Sequence, residues 1–293
     1  QMTKKRLIKA PLVLVQAQIH FSDLPSRELG TEQEMEDLHK AMIKLGFAER
    51  IDTEVVEIGF QFKLEGDGYG YGELKQQKSN SKRLVFRGFN KTQSVELIHN
   101  RLTIKNTQYK NYDKYSGDIK EILNVFTSHL NDLKNVLTKQ VSIRYIDVIL
   151  PSKKMELSDY INPSLLPFHP DFSKETMGIS QSITETGENQ FMVIMTEEVK
   201  ASVTGIPGRW LPADMLESDQ QAVLILNPYL EKYHSPKNYG ILNTDHRMDF
   251  TEDVEWKTNT IMEQLDSLYS LSSQFFWDAI TEVAKQEWEE SNE

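Results

Sequence analysis

The chain has 293 residues, no cysteine, and 44 acidic against 33 basic side chains, a formal charge of -11. The lack of cysteine excludes disulfide frameworks, thiolate zinc sites, iron–sulfur clusters and a cysteine nucleophile. The surplus of acid speaks against a dedicated surface for duplex DNA or anionic lipid, and the length is ample for a core without staples.

The first clear element is a strand. Val13, Val15, Ala17, Ile19 and Phe21 alternate with Gln16, Gln18 and His20, which places one face on a core and leaves the other more exposed. The apolar stretch Leu12–Val15 is short, and no run approaches the roughly 18 apolar residues of a membrane span. A soluble, cytoplasmic protein without membrane contact is expected. Thr31-Glu32-Gln33-Glu34 has the form of a capping box, and Met35, Leu38, Met42 and Ile43 follow at helical spacing up to Gly46.

Three strands are predicted next, over 56–64, 82–89 and 94–104. Their short connections favour antiparallel pairing. A long amphipathic helix follows from Gly117 to about Leu137, with Ile119, Ile122, Leu123, Phe126, Leu130, Leu133 and Leu137 as its apolar stripe. Val141–Leu150 returns as a strand. Residues 151–176, with Pro163, Pro167 and Pro170, have little periodicity and read as a connector docked through Leu165, Leu166 and Phe168.

Beyond the connector, strands are predicted at 178–184, 189–196, 221–226 and 240–250. A final helix is predicted from about Asp253 to Glu290, capped by Thr251. The expected fold class is therefore α+β: a broad, mostly antiparallel sheet with two long amphipathic helices packed on one face. The division is one domain over 1–293 in two similar halves. A β-α-β-β-β-α-β unit spans 1–150, the connector 151–176, and a β-β-β-β-α unit 177–293.

Several groups of residues are candidates for chemistry. Gly66 to Gly72 alternates glycine with Asp67, Tyr69 and Tyr71. Phosphate cradling needs such a loop to open a helix, whereas strand-forming sequence follows it. A hairpin tip presenting Tyr69 and Tyr71 to a partner is the better reading. Asp245, His246, Asp249, Glu252 and Asp253 form the densest titratable cluster. Asp245, Asp249 and His246 supply the ligand types of a metal-dependent hydrolase, but strand geometry turns His246 away from the two carboxylates. Capping of the final helix accounts for Glu252 and Asp253.

Arg144-Tyr145-Ile146-Asp147 puts both signs of charge into an apolar strand, and charges so placed must find partners. A ligand pocket between sheet and helices, lined by Arg144, Tyr145 and Asp147, is one outcome; a structural ion pair is the other. In the final helix, Phe276 and Trp277 cannot both face the core, which makes Trp277 a candidate partner anchor. The seven histidines show no metal-binding spacing, and no nucleophile elbow, phosphate-binding loop or kinase signature is present.

Ala10-Pro11-Leu12-Val13 opening a strand, Arg144-Tyr145-Ile146-Asp147 after a long helix, and Asn162-Pro163-Ser164-Leu165-Leu166-Pro167 form an ordered set. A strand near Leu242–Phe250 feeding a terminal helix completes it. The order resembles that of a sporadically distributed family of uncharacterised bacterial and archaeal proteins of roughly 250–290 residues. The family's strand after the long helix carries Asn where this chain has Asp147, and no catalytic residues carry over. The resemblance implies mobile defence or toxin–antitoxin cargo.

The function expected from these readings is that of a non-enzymatic interaction protein, an accessory or neutralising component of such a system. Its partner is expected to be a protein of basic character, given the acid surplus, with self-association a further expectation. Direct nucleic-acid binding is not expected, and neither a cofactor nor a metal. The alternatives are a small-molecule sensor with its pocket between sheet and helices, and the Asp245–Asp249–His246 hydrolase.

Overall fold

The computed structural model describes residues 5–25, 28–63, 73–152, 154–174, 176–200, 209–228, 230 and 238–292. Its strands in chain order are β1 (Lys5–Leu7), β2 (Leu12–Phe21), β3 (Glu49–Lys63), β4 (Glu73–Arg87), β5 (Gln93–Ile98), β6 (Arg101–Asn106), β7 (Leu137–Ile149), β8 (Gly178–Gly187), β9 (Gln190–Val199), β10 (Tyr239–Glu255) and β11 (Glu290–Asn292). The helices are α1 (Glu32–Lys44), α2 (Tyr112–His129), α3 (Thr258–Ala279) and α4 (Glu282–Glu287).

Nine strands form one sheet in the order β3-β4-β5-β6-β2-β7-β10-β9-β8, every neighbour antiparallel; β1 and β11 pair separately. The α+β class and the broad antiparallel sheet are thus as expected. Residues directly opposite in an antiparallel pair share a face, so the register assigns every side chain to one side. Val15, Ala17 and Ile19 of β2 stand beside Ile104 and Leu102 of β6 and Ile143 and Val141 of β7. That face packs against Met35, Leu38 and Met42 of α1, Ile119, Ile122 and Phe126 of α2, and Ile261, Leu265 and Leu268 of α3 in one core.

The helices have identifiable starts. Thr31 accepts from the Glu34 backbone N–H at 3.2 Å, while Glu34 accepts from the Thr31 backbone N–H at 2.8 Å, the reciprocal box read from the sequence. Glu34 also accepts from the backbone and side-chain nitrogens of Asn131, at 3.1 and 3.0 Å, tying α1 to the turn that follows α2. Asn111 caps α2 through the Lys114 backbone N–H, so α2 begins five residues earlier than its apolar stripe predicts and ends at His129.

Other boundaries depart from the sequence expectation. Residues 94–104 are a hairpin, β5 and β6, reversing at His99-Asn100. With β1 also unpredicted, the first half has seven strands where five were expected. Residues 221–226 are not a strand; their main chain bonds to Lys91, Arg87 and Thr107 instead of to a ladder. Glu252 and Asp253 lie on β10, which continues to Glu255, so they do not cap α3. The final helix is interrupted after Ala279, where Ile280 makes an isolated bridge to Ile161 of the connector. The three helices of 13, 18 and 22 residues all contribute to the core, the shorter α1 beside the two longer ones.

Candidate functional site: a polar sheet face under a strap

The face of the sheet away from the helices carries a polar row beside a smaller apolar cluster that includes Ile146, Val148 and Ile241. Gln16 and Gln18 of β2 are opposite Arg144 and Ser142 of β7, and opposite Lys105 and Thr103 of β6. Glu96 of β5 is opposite Thr103, and Arg144 is opposite Asp245 of β10. Arg83 of β4 extends the row, so charged residues alternate with apolar ones on strand after strand.

Residues 209–228 cross this face as a strap. Pro212 leads into a short 3-10 turn, Ala213–Met215, whose Met215 is buried with Val13, Leu14, Ile146, Val148 and Ile241. Flanking carboxylates clamp two arginines of the sheet. Arg144 donates to both oxygens of Asp214, at 2.7 and 3.1 Å, and through Nε to Asn243 at 2.8 Å. Arg83 donates to both oxygens of Glu217, at 2.9 and 2.5 Å, and lies 2.8 Å from Glu96. Such two-pronged pairs fix orientation as well as charge. Beyond the turn, Arg87 donates to the Val223 carbonyl at 2.9 Å and Thr107 to the Ile225 carbonyl at 2.6 Å.

Strap and sheet together line a half-open cavity of about 340 Å³. The sheet contributes Arg83, Arg101, Lys105 and Arg144 against Glu96 and Asp245, a floor of two net positive charges; Asp214 and Glu217 of the strap cancel them. Arg144 is engaged through all three nitrogens, and Arg83 through both terminal ones, its Nε being buried without a partner. Arg101 is held more loosely: its ion pair with Glu96 is at 3.7 Å, and its Nε is likewise shut from solvent without a hydrogen-bond partner. Among the described residues Lys105 makes no ion pair, although its charge helps lower Glu217.

The carboxyls of the cavity sit in contrasting environments. The Arg144 hydrogen bonds hold Asp214 below its ordinary value, against a smaller effect of burial. Burial is the largest influence on Glu217 and raises it, yet the Arg83 hydrogen bond and neighbouring charge bring it below the usual carboxylate range. Asp245 is pushed upward by burial, with Arg144 and Arg247 opposing. Asp245 thus faces the cavity with its carboxyl shifted in the opposite direction to those of Asp214 and Glu217. His20, on the same face, is lowered to about 4 by burial and by Arg101.

The structure separates the residues grouped by the sequence. Arg144 is on the strap side, whereas Tyr145 and Asp147 point to the helices. Tyr145 is opposite Thr244 and meets Tyr109 edge-on at 6.2 Å; burial raises its phenol far above the ordinary value. Asp147, only 4 % exposed, is raised by burial to about 7. These three residues do not line one pocket, and the cavity that Arg144 lines is on the face opposite the helices.

The hydrolase set also fails to assemble. His246 is sealed against α3, with Nδ1 at 3.0 Å from the Leu268 carbonyl and 3.1 Å from Ser272, and Nε2 at 2.7 Å from Thr186. Asp245 and Asp249 face the other side, and Gln140 donates to Asp249 at 2.5 Å. Among the described residues no group of three or more His, Asp or Glu side chains is placed to hold a metal. Trp277 is half-buried, edge-on to Phe276 at 6.0 Å and covered by the Lys5 ammonium at 5.7 Å. Tyr69 and Tyr71 lie outside the described residues.

A second, wider depression of about 640 Å³ is rimmed by Asp23, Glu28, Asp52, Glu54, Lys82 and His99. Its acids are solvated, with Asp23 and Glu28 three-quarters exposed. The strap-side cavity is therefore the better-built site. Its key members, Arg83, Glu96, Arg101, Lys105, Asp214 and Glu217, were not singled out by motif. The signal that marks the first four is period-two alternation, as in Arg83-Leu84-Val85-Phe86-Arg87 and Arg101-Leu102-Thr103-Ile104-Lys105.

No family model matches the chain, and no curated protein matches it. No helix among the described residues is long and apolar enough to cross a membrane.

Proposed function

We propose that the protein is a non-catalytic binding module that holds a small anion-bearing ligand between the polar face of its sheet and the strap. The observation that carries this reading is the pair Arg101 and Lys105. They project from one strand into the cavity; Arg101 has only a long ion pair, 3.7 Å from a Glu96 that Arg83 shares, and Lys105 has none among the described residues. Both cations are partly exposed and so reachable, and a carboxylate or phosphate from outside supplies the closer partner that the chain does not. Gln16, Gln18 and Thr103 offer donors and acceptors beside it, and Asp245 offers an acceptor for a ligand N–H or O–H. This keeps the small-molecule sensor expected from the sequence but moves its pocket to the other face of the sheet.

The test is a thermal-shift titration with inorganic phosphate and, separately, succinate. Ligand binding to the native state raises the melting temperature with saturation. Saturable stabilisation by either anion at constant ionic strength supports the proposal. A response no greater than that to chloride overturns it.

A second reading, an accessory or neutralising component of a defence or toxin–antitoxin-like system, rests on the acid surplus and the family resemblance. One observation favours it. Glu252, Asp253 and Glu255 are exposed on β10 instead of capping a helix, which leaves them facing solvent where a basic protein can meet them. A salt-sensitive complex with a basic partner encoded beside this chain supports that role. Co-expression with that neighbour yielding no complex at low salt removes it.

A further inference from the structure

The two edges of the nine-stranded sheet are built differently. At one edge β3 presents Arg50, Asp52 and Glu54, charged groups that discourage strand addition. At the other, β8 has no charge before Glu185 and no proline, and its single irregularity lies at the hairpin end, between Glu185 and Gly187. Its outer side has no strand partner among the described residues. Ile179 and Ile183 are 58 % and 64 % exposed there, and Met177, Phe168 and Phe172 are exposed close by in sequence. The connector lies alongside the start of β8, since a Cβ at Gly178 would come within 3.3 Å of Pro167. Long, flat, uncharged edges with apolar side chains are templates for another strand.

We infer that β8 is a dimerisation edge, on which a second copy of this chain lays its own β8 antiparallel with Gln181 on the two-fold axis. The strand is self-complementary in that register. Ile179 stands opposite Ile183 of the second copy, and Ile183 opposite Ile179. Opposite residues share a face, so the four isoleucines form one apolar stripe across the junction. Ile183 already has Val193 of β9 as its neighbour on that face. Moving the axis one residue to either side sets Ile179 against Gln181 or against Glu185. In the favoured register Glu185 is opposite Met177, and the two Glu185 carboxylates are roughly 26 Å apart at about 3.3 Å per residue. No like charges meet. Such a contact is isologous and closes at two copies, which removes the exposed edge.

Because the chain has no cysteine, one introduced thiol reads out the register directly. Wild-type protein is expected to sediment at twice 33.9 kDa and to dissociate on dilution. The double variant Ile179→Lys/Ile183→Lys is expected to be a monomer with unchanged circular dichroism. Gln181→Cys places two thiols on residues whose Cα atoms are about 4.5–5.5 Å apart, within disulfide reach. Mild oxidation should link it into a covalent dimer. Thr184→Cys, roughly 20 Å from its own copy, should stay unlinked. A wild-type chain that is monomeric up to its solubility limit overturns the inference. So does a dimer in which Gln181→Cys fails to cross-link, or one in which Thr184→Cys links as readily.

Discussion

Arg144 and Asp214, 70 residues apart in the chain, form a two-pronged ion pair that fastens the strap to the polar face of the sheet. The same device recurs at Arg83 and Glu217, 134 residues apart. The two pairs differ in burial: the Asp214 side chain is 64 % exposed, while Arg83 and Glu217 are 7 % and 16 % exposed. Their energetic weights should differ accordingly. Asp214→Ala is expected to cost about 0.2–1 kcal/mol, as for a solvated pair. Arg83→Ala leaves the buried Glu217 without its cation, and Glu96 with only the longer Arg101 pair, and should cost about 3–5 kcal/mol. Urea denaturation of the two variants gives the comparison, and equal losses would contradict it.

Asp147 gives a stability effect of opposite sign. Burial raises its carboxyl from 3.8 to about 7, so between those values the folded chain keeps a proton that the unfolded chain releases. Stability from this group is complete below about pH 4 and is lost as pH rises towards 7. Asp147→Asn removes the ionisation. It should raise stability at pH 7.5 by about 1–3 kcal/mol and change it little at pH 4. A variant less stable than wild type at pH 7.5 would show that the carboxylate has a stabilising role.

His20 and His246 set the acid limb. Burial lowers both, His20 from 6.5 to about 4 with help from Arg101. The unfolded chain therefore binds protons that the folded chain refuses. Their contribution is complete above about pH 6.5 and is lost as pH falls, for His20 as it approaches 4. His20→Gln should flatten the fall in melting temperature between pH 6.5 and 4.5. An unchanged slope would assign the acid limb to other groups.

Glu34 joins two structural tasks, since its carboxylate accepts from Thr31 and from Asn131. Glu34→Ala should cost about 1–2 kcal/mol, more than Thr31→Ala at about 1 kcal/mol. Calorimetry distinguishes the two, and equal losses would confine Glu34 to the cap.

Local rules made much of this fold readable. The period of β2, the capping box of α1 and the first part of the α2 stripe are short-range patterns that mark their elements, although Leu130, Leu133 and Leu137 of that stripe fall beyond the end of α2. The misses occur where two local signals compete. Glu252 and Asp253 suit a helix start, yet Val254 and Glu255 continue the pairing of β10 with Thr138 and Leu137. Residues 221–226 are apolar enough for a strand but find their partners in Lys91, Arg87 and Thr107, off any ladder. The candidate site was readable only as alternating charge on β4 to β6. Its closure depends on Asp214 and Glu217 finding arginines far away in the chain, and spacing carries no information about such a meeting.

The central claim is that the strap-side cavity receives an external anion on Arg101 and Lys105. Isothermal titration of succinate into wild-type protein and into Arg101→Ala and Lys105→Ala tests it most directly. Both side chains are partly exposed, so neither variant should unfold the chain. The account predicts saturable binding by wild type, weakened roughly tenfold or more by either substitution, in line with loss of about 1.4 kcal/mol or more. Wild-type binding that both variants retain in full would contradict it.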